Sequence, residues 1–396
     1  MKFSVPTNWQ DDLILNIKKE GVVELYGKLA RDYVGGGRAS ATIPHPSRKK
    51  AKLHIQQAHS HNLEFDYLLN STCLDNSEFT RQGQKNLMKL LDWLTEAKVN
   101  SITVSMPYLL ELIKKRYPHF KVHVSTQAGV NTIQRAKCWQ DLGADKITLS
   151  LVDLNRDFRL LRQIRKTVKS ELQLIANTPC LFSCSTYQLH ANANAHASQA
   201  GHPSRGLVID YCRLSCAHLQ IENPTDFIRG TWIRPEDIHY YEDAGIDYLK
   251  LVDRNMPTRW ISIIVEAYTK RSYAGNLLDL FPGATKNLEL HNFNLFHKFA
   301  YYFHPFKINI LKLFKKRKML TLDAKVYIDN KKLDGFIEHF LEKSCYDISC
   351  EECGYCEDIA KKTVKILDEG EYNLLRESYR KYRDEIISGS LFKYTP

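Results

Sequence analysis

The sequence predicts an α/β fold: a TIM-type (β/α)8 barrel with a cysteine-rich insertion after strand seven and a smaller C-terminal domain. Short apolar runs alternate with segments of helical period from the N-terminus onward, and eight such runs can be counted. Strands that alternate with helices pair in parallel, and eight such units close into a barrel. A doubly wound open sheet is the alternative, and the count of eight favours the barrel.

The segments between the predicted strands repeat apolar residues three or four positions apart, which is the period of a helix with one buried face. Gln82–Ala97 places four leucines on one face, and Asn155–Val168 repeats Phe158, Leu161 and Ile164. In chain order the predicted strands are Lys2–Pro6, Val22–Tyr26, Glu64–Leu69, Ser101–Ser105, Lys121–Ser125, Lys146–Leu151, Glu171–Ala176 and Ile246–Val252.

Two stretches interrupt the alternation. Residues 177–232 follow strand seven, contain four cysteines and four histidines, and show little apolar periodicity. We expect a functional loop there, because long irregular loops inside compact domains usually have a function. After about Gly275 the alternation stops. The sequence therefore predicts a barrel at 1–275 that contains the insertion, and a C-terminal domain at 276–396 with a second cysteine group at 345–356.

Composition excludes several classes of protein. The chain has 396 residues, of which 43% are hydrophobic and 26% charged, as in globular proteins and unlike disordered chains or coiled coils. It has no run of about 18 apolar residues, and acidic residues replace the apolar stretch of a signal peptide, so a cytoplasmic location is expected. The net charge of +11 permits a polyanionic partner. Ten cysteines without an export signal favour metal binding over disulfides.

The first cysteine group consists of two pairs, Cys180 with Cys184 and Cys212 with Cys216, each separated by three residues. Four thiolates suit a tetrahedral zinc ion or an iron–sulfur cluster. Zinc ribbons prefer two-residue spacers, so this spacing favours a cluster. Cys180 lies just past strand seven, at the barrel face where active sites are built. Four buried or unpaired thiols without metal are the alternative.

The second cysteine group lies in one short segment near the C-terminus. Four thiols so close together can surround one metal centre, which predicts either a second iron–sulfur cluster or zinc. A purely structural zinc knot is the plainer alternative. The four residues are Cys345, Cys350, Cys353 and Cys356.

A basic, aromatic run spans Phe303–Lys318, and the preceding Leu290–Tyr302 is rich in histidine and aromatic residues. Such a segment can bind RNA phosphates or an anionic membrane surface. A solvated charged face without a ligand is the alternative.

Polar residues follow several predicted strands, and they predict a substrate site at the carboxyl-terminal rim of the barrel. An arginine fork donates two parallel hydrogen bonds to a carboxylate or phosphate, and histidine can act as acid or base near neutral pH. For Arg254, an ion pair with Glu236 or Asp253 is the alternative. The catalytic candidates are Arg254, His190 and Gln127, and the candidate substrate contacts are Asn70, Asn155, Arg156 and Arg234.

Several short segments resemble a known family over about residues 1–275. The resemblance is to peptidase family U32, also called collagenase-like, and it includes the cysteine-bearing segment after strand seven. The other segments are Tyr26-Gly27, Ser125-Thr126-Gln127, Leu142-Gly143-Ala144-Asp145, Ile233-Arg234-Pro235-Glu236-Asp237, and Ala244–Lys250 leading to Asp253-Arg254.

The resemblance implies a TIM-type barrel and a [4Fe-4S] cluster held by Cys180, Cys184, Cys212 and Cys216. Better-understood relatives resemble oxygen-independent hydroxylation proteins that act on ubiquinone precursors, transfer RNA or ribosomal RNA, some of them with prephenate as oxygen donor. This chain departs from the common pattern: Val252-Asp253-Arg254 stands in place of Glu-Gly-Arg, and the loop after Cys184 carries Tyr187–His190. The second cysteine group is an addition.

Three functions follow as hypotheses. The first is an iron–sulfur enzyme that hydroxylates a small molecule, peptide or RNA, with an electron-donor protein as partner and an anionic small molecule or RNA as substrate. The second is a peptidase, which needs a nucleophile with a base or an open metal site. The third is an RNA-binding or partner-binding accessory subunit without catalysis. The substrate and the oligomeric state are left open.

Overall fold

Eight parallel strands close into a barrel in the computed structural model, which describes residues 1–282 and 325–392. Neighbouring strands pair in chain order, and the first strand closes the barrel against the eighth. The predicted TIM-type barrel is therefore confirmed. The strands are β1 Lys2–Pro6, β2 Val22–Gly27, β3 Glu64–Leu69, β4 Ser101–Val104, β5 Lys121–Val124, β6 Lys146–Thr148, β7 Glu171–Ile175 and β8 Tyr248–Lys250.

The later strands end earlier than the sequence predicted, because their last residues leave the ladder to build the rim. After β6, the Ser150 amide donates to the Val130 carbonyl at 2.9 Å. After β8, the Val252 amide donates to the Asn177 side chain at 2.7 Å. These hydrogen bonds fix the loops that carry the candidate site.

Helices cover the outside of the barrel and bury their apolar stripes against it. In the third of them the Thr80 hydroxyl accepts from the Gly83 amide, and Leu87, Leu91 and Leu94 are fully buried. The helices are α1 Leu13–Ile17, α2 Arg48–Ser60, α3 Arg81–Glu96, α4 Pro107–Arg116, α5 Ile133–Asp141, α6 Phe158–Thr167, α7 Tyr187–His196, α8 Tyr211–Glu222, α9 Thr225–Arg229, α10 Ile238–Asp243 and α11 Thr258–Lys270.

The insertion at 177–232 is helical, so the expectation of an irregular loop is wrong. It contains α7, α8 and α9. The buried residues of α7 are Ala191, Asn194 and Ala195. Because these side chains are small or polar, they leave no apolar period in the sequence.

Residues 325–392 pack on the barrel through a strand pair and four helices. Strands β9 Val326–Ile328 and β10 Val364–Ile366 are antiparallel. The Phe336 ring stacks on Trp232 with centroids 5.4 Å apart, and apolar residues of this part belong to the same continuous core as those of the barrel. The domain boundary at 275 stays a prediction. The four helices are His339–Glu342, Cys350–Cys353, Tyr355–Thr363 and Glu369–Ile387.

Charged side chains fill the barrel interior. Lys146 Nζ lies 2.9 Å from Glu24 Oε2, and Lys250 Nζ lies 3.8 Å from Asp66 Oδ2. His123 Nδ1 lies 3.5 Å from Asp66 Oδ1. Because opposite charges pair, the interior can hold ionised groups without isolating any of them.

The buried His54 on α2 predicts a loss of stability in acid. Its Nε2 lies 2.8 Å from Thr7 Oγ1, and burial lowers the pKa of His54 to about 4. The unfolded chain takes up this proton below about pH 6.5 and the folded chain only near pH 4, so stability falls as pH drops between them. We expect the wild type to lose up to about 3 kcal/mol more than His54→Gln in this window. Urea unfolding at pH 7 and pH 4.5 measures the difference, and equal losses in both proteins would contradict the assignment.

Among the described residues, no helix combines the length and apolar character needed to cross a bilayer.

Candidate functional site

The first cysteine group comes from two elements that meet at the carboxyl-terminal rim. Cys180 and Cys184 lie in the loop after β7, and Cys212 and Cys216 lie one turn apart on α8. The loop is tied down at Cys180, whose carbonyl accepts from the Thr231 amide at 2.9 Å. The α8 helix packs on the same loop, since the Gln220 amide donates to the Pro179 carbonyl at 2.8 Å.

The four thiols interact with one another. The Cys216 thiol donates to Cys184 and lowers the pKa of Cys184 to about 5. Cys180, Cys184 and Cys212 all act electrostatically on Cys216. Burial raises the pKa of Cys180 and Cys212. The donor set of two pairs converging from opposite sides suits a group with four thiolate ligands.

The distances between ligand sulfur atoms differ between a zinc site and an iron–sulfur cluster. Zn–S bonds of about 2.3 Å hold the four sulfurs of a tetrahedral zinc site about 3.8 Å apart. The cysteines of a [4Fe-4S] cluster bind different iron atoms of one cube, which holds their sulfurs farther apart. Within residues 1–282 and 325–392, no three sulfurs of either cysteine group lie within 4.8 Å of one another. The Cys184 and Cys216 thiols are hydrogen-bonded to each other, so four thiolates in this arrangement suit either a zinc ion or a cluster.

Two arginines flank one carboxylate at the barrel mouth. Arg38 Nε lies 2.9 Å from Asp253 Oδ2, and the Arg254 amide donates to Asp253 Oδ1 at 2.6 Å. The Arg38 side chain is 37% exposed and interacts electrostatically with Cys180, so it joins the mouth to the first cysteine group. Arg254 is 4% exposed, and its buried Nη1 has no hydrogen-bond partner.

Asn70 and Gln127 lie in the same mouth, under the glycine loop that follows β2. The Gly37 amide donates to Asn70 Oδ1 at 3.2 Å. A Cβ at Gly37 would lie 2.2 Å from Gln127 Nε2, so only glycine permits this close approach. The buried Gln127 Oε1 has no partner. Asn70 and Gln127 therefore lie beside Gly37, next in the chain to Arg38, whose partner Asp253 directly precedes Arg254.

The other candidate residues lie elsewhere. Asn155 donates to the Ile175 and Thr231 carbonyls at 2.8 and 2.6 Å, so its amide fastens the base of the insertion. Arg234 is 1% exposed and holds the C-terminal part, with Nη2 2.6 Å from Asp334 Oδ1. These contacts engage the Asn155 amide nitrogen and the Arg234 guanidinium, so the geometry gives both residues an anchoring role.

His190 lies on α7 behind the first cysteine group. Its Nε2 is 3.2 Å from Asp210 Oδ2, and it acts electrostatically on Cys184. It borders the cysteines rather than the group formed by Arg38, Asp253 and Arg254. Arg156 lies at the second cysteine group.

The four cysteines of the second group line one pocket on the C-terminal part. Cys350 and Cys353 occupy a short helix that begins with a capping box between Ser349 and Glu352. Gly354 follows it with φ 63°, which turns the chain so that the next helix presents Cys356. Cys350 and Cys353 are exposed.

Arg156 places a buried positive charge beside this pocket. Its guanidinium carbon lies 4.6 Å from the Trp232 ring centroid and 4.8 Å from that of Phe336. Cys345 and Cys356 interact with it electrostatically. Nη1 donates to the Ile228 carbonyl at 2.9 Å, but the buried Nε and Nη2 have no partner. Buried donors are normally paired, so this arrangement suits an anionic occupant such as a thiolate-ligated metal centre.

Replacing Arg156 with methionine is expected to have opposite effects on metal-loaded and metal-free protein. Without metal, the change removes a buried charge with unpaired donors and raises stability. With an anionic centre bound, it removes the compensating charge and lowers stability by about 3 kcal/mol. Thermal unfolding of both forms measures the difference.

Arg159→Met is the matched control for Arg156→Met, because its ion pair with Asp347 is exposed. We expect it to change both forms by less than about 1 kcal/mol. Equal effects of Arg156→Met with and without metal would contradict an anionic centre in this pocket.

The segments that carry the two cysteine groups contact each other through two aromatic side chains. Phe182 lies between Cys180 and Cys184, Tyr346 follows Cys345, and their ring centroids are 5.2 Å apart. The barrel loop and the C-terminal part thus meet at their cysteine-bearing segments.

The predicted basic segment, Phe303–Lys318 with the preceding Leu290–Tyr302, lies outside the described residues. Tyr187 and Lys250 were missed by sequence reasoning. Tyr187 interacts electrostatically with Cys180 and Arg38, and burial lowers the pKa of Lys250 to about 8. An inward-facing lysine on a strand is the signal that a reading of apolar runs overlooks.

Comparison with known families decides the relationship. The model of peptidase family U32 matches residues 33–274. The chain belongs to peptidase family U32. This match includes the first cysteine group and the barrel mouth, and it excludes the second cysteine group.

Curated relatives of this U32 protein have two kinds of name. An uncharacterized protease of Methanocaldococcus jannaschii is 28% identical over 85% of this chain and 87% of its own length. A protein of Helicobacter pylori named tRNA hydroxylation protein P is 24% identical over 65% of this chain and 59% of its own length. The chain therefore spans less than two thirds of that relative. A solved U32 peptidase structure aligns with a TM-score of 0.47 and 21% identity over 64% of this chain and 93% of its own.

Proposed function

We propose that this protein is an iron–sulfur-dependent hydroxylase of RNA that works without molecular oxygen at the barrel mouth. Two relatives are named tRNA hydroxylation proteins, from Helicobacter pylori and Bacillus subtilis. The observation that carries the proposal is the placement of the first cysteine group beside Arg38, with unpaired buried atoms of Arg254 and Gln127 in the same mouth. Unpaired buried groups beside a redox-suited donor set are typical of a site that awaits its ligand.

Cys180, Cys184, Cys212 and Cys216 would hold the [4Fe-4S] cluster, with Cys180 nearest to Arg38. When bound, such a cluster supplies one-electron transfer at a potential set by burial and hydrogen bonds to its sulfurs. Arg38 and Arg254 would bind the anionic group of a co-substrate. Asp253 accepts from the Arg38 side chain and from the Arg254 backbone amide, so it fixes the Arg38 guanidinium in the mouth.

The oxygen atom must come from a donor molecule if dioxygen takes no part. A hydroxylated organic acid fits the arginine-lined mouth, because a guanidinium fork recognises a carboxylate. In the balanced reaction the donor loses OH and gains H, while the RNA carbon loses H and gains OH. The donor is thus reduced by two electrons and the RNA oxidised by two. Lys250, whose pKa is about 8, can give a proton to the departing oxygen.

The second cysteine group would hold a further metal centre, and we propose that it takes up electrons from a donor protein to set the oxidation state of the first centre before turnover. The hydroxyl transfer itself is redox-neutral and consumes none of them. Cys350 and Cys353 are exposed, so a partner can approach them. The Phe182–Tyr346 contact joins this segment to the loop of the first group. Arg156 would compensate the negative charge of the bound centre.

Nucleoside mass spectrometry tests the proposed function in cells. Transfer RNA from a strain lacking the gene should lack a nucleoside that carries one extra oxygen atom. The wild-type gene and the Cys138→Ser variant should restore it, because Cys138 is exposed and distant in sequence from both groups. The Cys184→Ser variant should not. An unchanged set of modified nucleosides in the deletion strain, with loss of a peptide-cleaving activity instead, would overturn the proposal in favour of a peptidase.

A further inference from the structure

A third group of potential ligands lies outside both cysteine groups. Cys73 and Asp75 belong to the loop after β3, His196 ends α7, and His202 follows six residues later. Ligand atoms of Cys73, Asp75 and His196 all lie within 4.8 Å of one another. His202 Nε2 is 3.6 Å from Asp75 Oδ2.

The distances match the edges of a small tetrahedron. Zinc bonds of about 2.3 Å to sulfur and about 2.0 Å to nitrogen or oxygen place neighbouring ligand atoms about 3.3–3.5 Å apart. Cys73 Sγ lies 3.5 Å from Asp75 Oδ1, and His196 Nε2 lies 3.8 Å from the same oxygen. Among the described residues, no three sulfur atoms of either cysteine group lie within 4.8 Å of one another, as the ligand atoms of Cys73, Asp75 and His196 do.

The histidines are arranged to bind through Nε2. The two rings stack with centroids 4.4 Å apart and planes 11° from parallel, and the Nε2 atoms of both lie within 3.8 Å of an Asp75 carboxylate oxygen. His196 Nε2 is buried and has no hydrogen-bond partner. The Ser204 amide donates to His202 Nδ1 at 3.1 Å. A metal on Nε2 requires the other tautomer, in which Nδ1 donates to Ser204 Oγ, 2.9 Å away.

We propose that Cys73, Asp75, His196 and His202 bind one zinc ion. The donor set of one thiolate, two imidazoles and one carboxylate suits zinc, and four protein ligands make the site structural rather than catalytic. The proposal does not depend on the hydroxylase function.

The zinc ion would fasten the helical insertion to the loop that carries Asn70. Gln199 already bridges the two segments, since its Nε2 donates to Ser71 Oγ at 2.9 Å and to the Cys73 carbonyl at 2.6 Å. Thr72 also donates to Asn192 on α7. A metal bond across the same junction would hold α7 in place over the barrel mouth.

Metal analysis of the full chain tests the site. Zinc titrated into the Cys184→Ser/Cys353→Ser double variant, in which both cysteine groups are disabled, should bind with a stoichiometry of about one. Cobalt in its place should give the visible absorption of a tetrahedral site with one thiolate. His196→Gln should weaken cobalt binding by about 100-fold or more, because even outer-shell changes cost about 10–100-fold.

His239→Gln is the control, because His239 is exposed on α10 and should leave cobalt binding unchanged. Cys73→Ser provides a second variant whose cobalt spectrum should lose its sulfur-to-metal band while circular dichroism stays that of the wild type. Unchanged cobalt affinity in both His196→Gln and Cys73→Ser, or a spectrum with four thiolates, would overturn the proposal.

Discussion

Replacing Cys184 with serine is expected to remove the first metal centre completely. A serine hydroxyl is a poor replacement for a thiolate ligand of iron, and the other three thiols come from two separate elements that a cluster must bridge. Iron and sulfide should each fall by about four per chain in protein prepared without air. RNA hydroxylation should disappear with them.

Cys138→Ser is the matched control for this loss, since Cys138 is an exposed cysteine on α5. Its iron content and activity should equal those of the wild type. Iron content that stays unchanged in Cys184→Ser would show that these four cysteines do not hold the cluster. Loss of zinc without loss of iron would identify the first centre as zinc.

Replacing Arg254 with alanine is expected to reduce turnover strongly while the cluster stays bound. Arg254 is 4% exposed, and its buried Nη1 has no partner, so a carboxylate in the mouth would gain a buried ionic hydrogen bond from it. Removing one member of such a pair costs about 2–5 kcal/mol, which lowers kcat/KM by about 30-fold or more. Hydroxylated RNA formed at matched iron content measures the effect.

The Arg254→Lys variant distinguishes the effect of the positive charge from that of the paired guanidinium hydrogen bonds. Lysine keeps the positive charge but lacks the fork, so turnover should stay well below that of the wild type. Arg116→Ala, at an exposed position on α4, should be neutral. If Arg254→Ala turns over at the wild-type rate with its cluster present, Arg254 does not bind the substrate. Its role would then be a structural ion pair with Asp253 at the rim.

The barrel was predictable because its signal is repeated. Seven of the eight strands begin at the predicted residue, since each starts a short run of buried residues. The insertion was not predictable as helix, because α7 buries small residues such as Ala191 and Ala195. The ends of β6 and β8 were missed because their last residues bond to loops, as Val252 does to Asn177.

The candidate site was predictable in part. Asn70, Gln127 and Arg254 follow different strands, and parallel strands bring their carboxyl ends to one rim. Arg156 follows the sixth predicted strand and Arg234 precedes the eighth by more than ten residues, yet the guanidinium groups of both point toward the C-terminal part. The local sequence does not reveal this orientation, because it depends on residues more than 90 positions away.

Anaerobic turnover of RNA by the reconstituted protein tests the central claim most directly. Protein loaded with its cluster is incubated with transfer RNA and a hydroxylated organic acid in the absence of dioxygen, and the nucleosides are analysed by mass spectrometry. We predict a nucleoside with one added oxygen atom, formed by the wild type and by Cys138→Ser but not by Cys184→Ser. Hydroxylation that requires dioxygen, or equal product with Cys184→Ser, would contradict an oxygen-independent reaction at the first cysteine group.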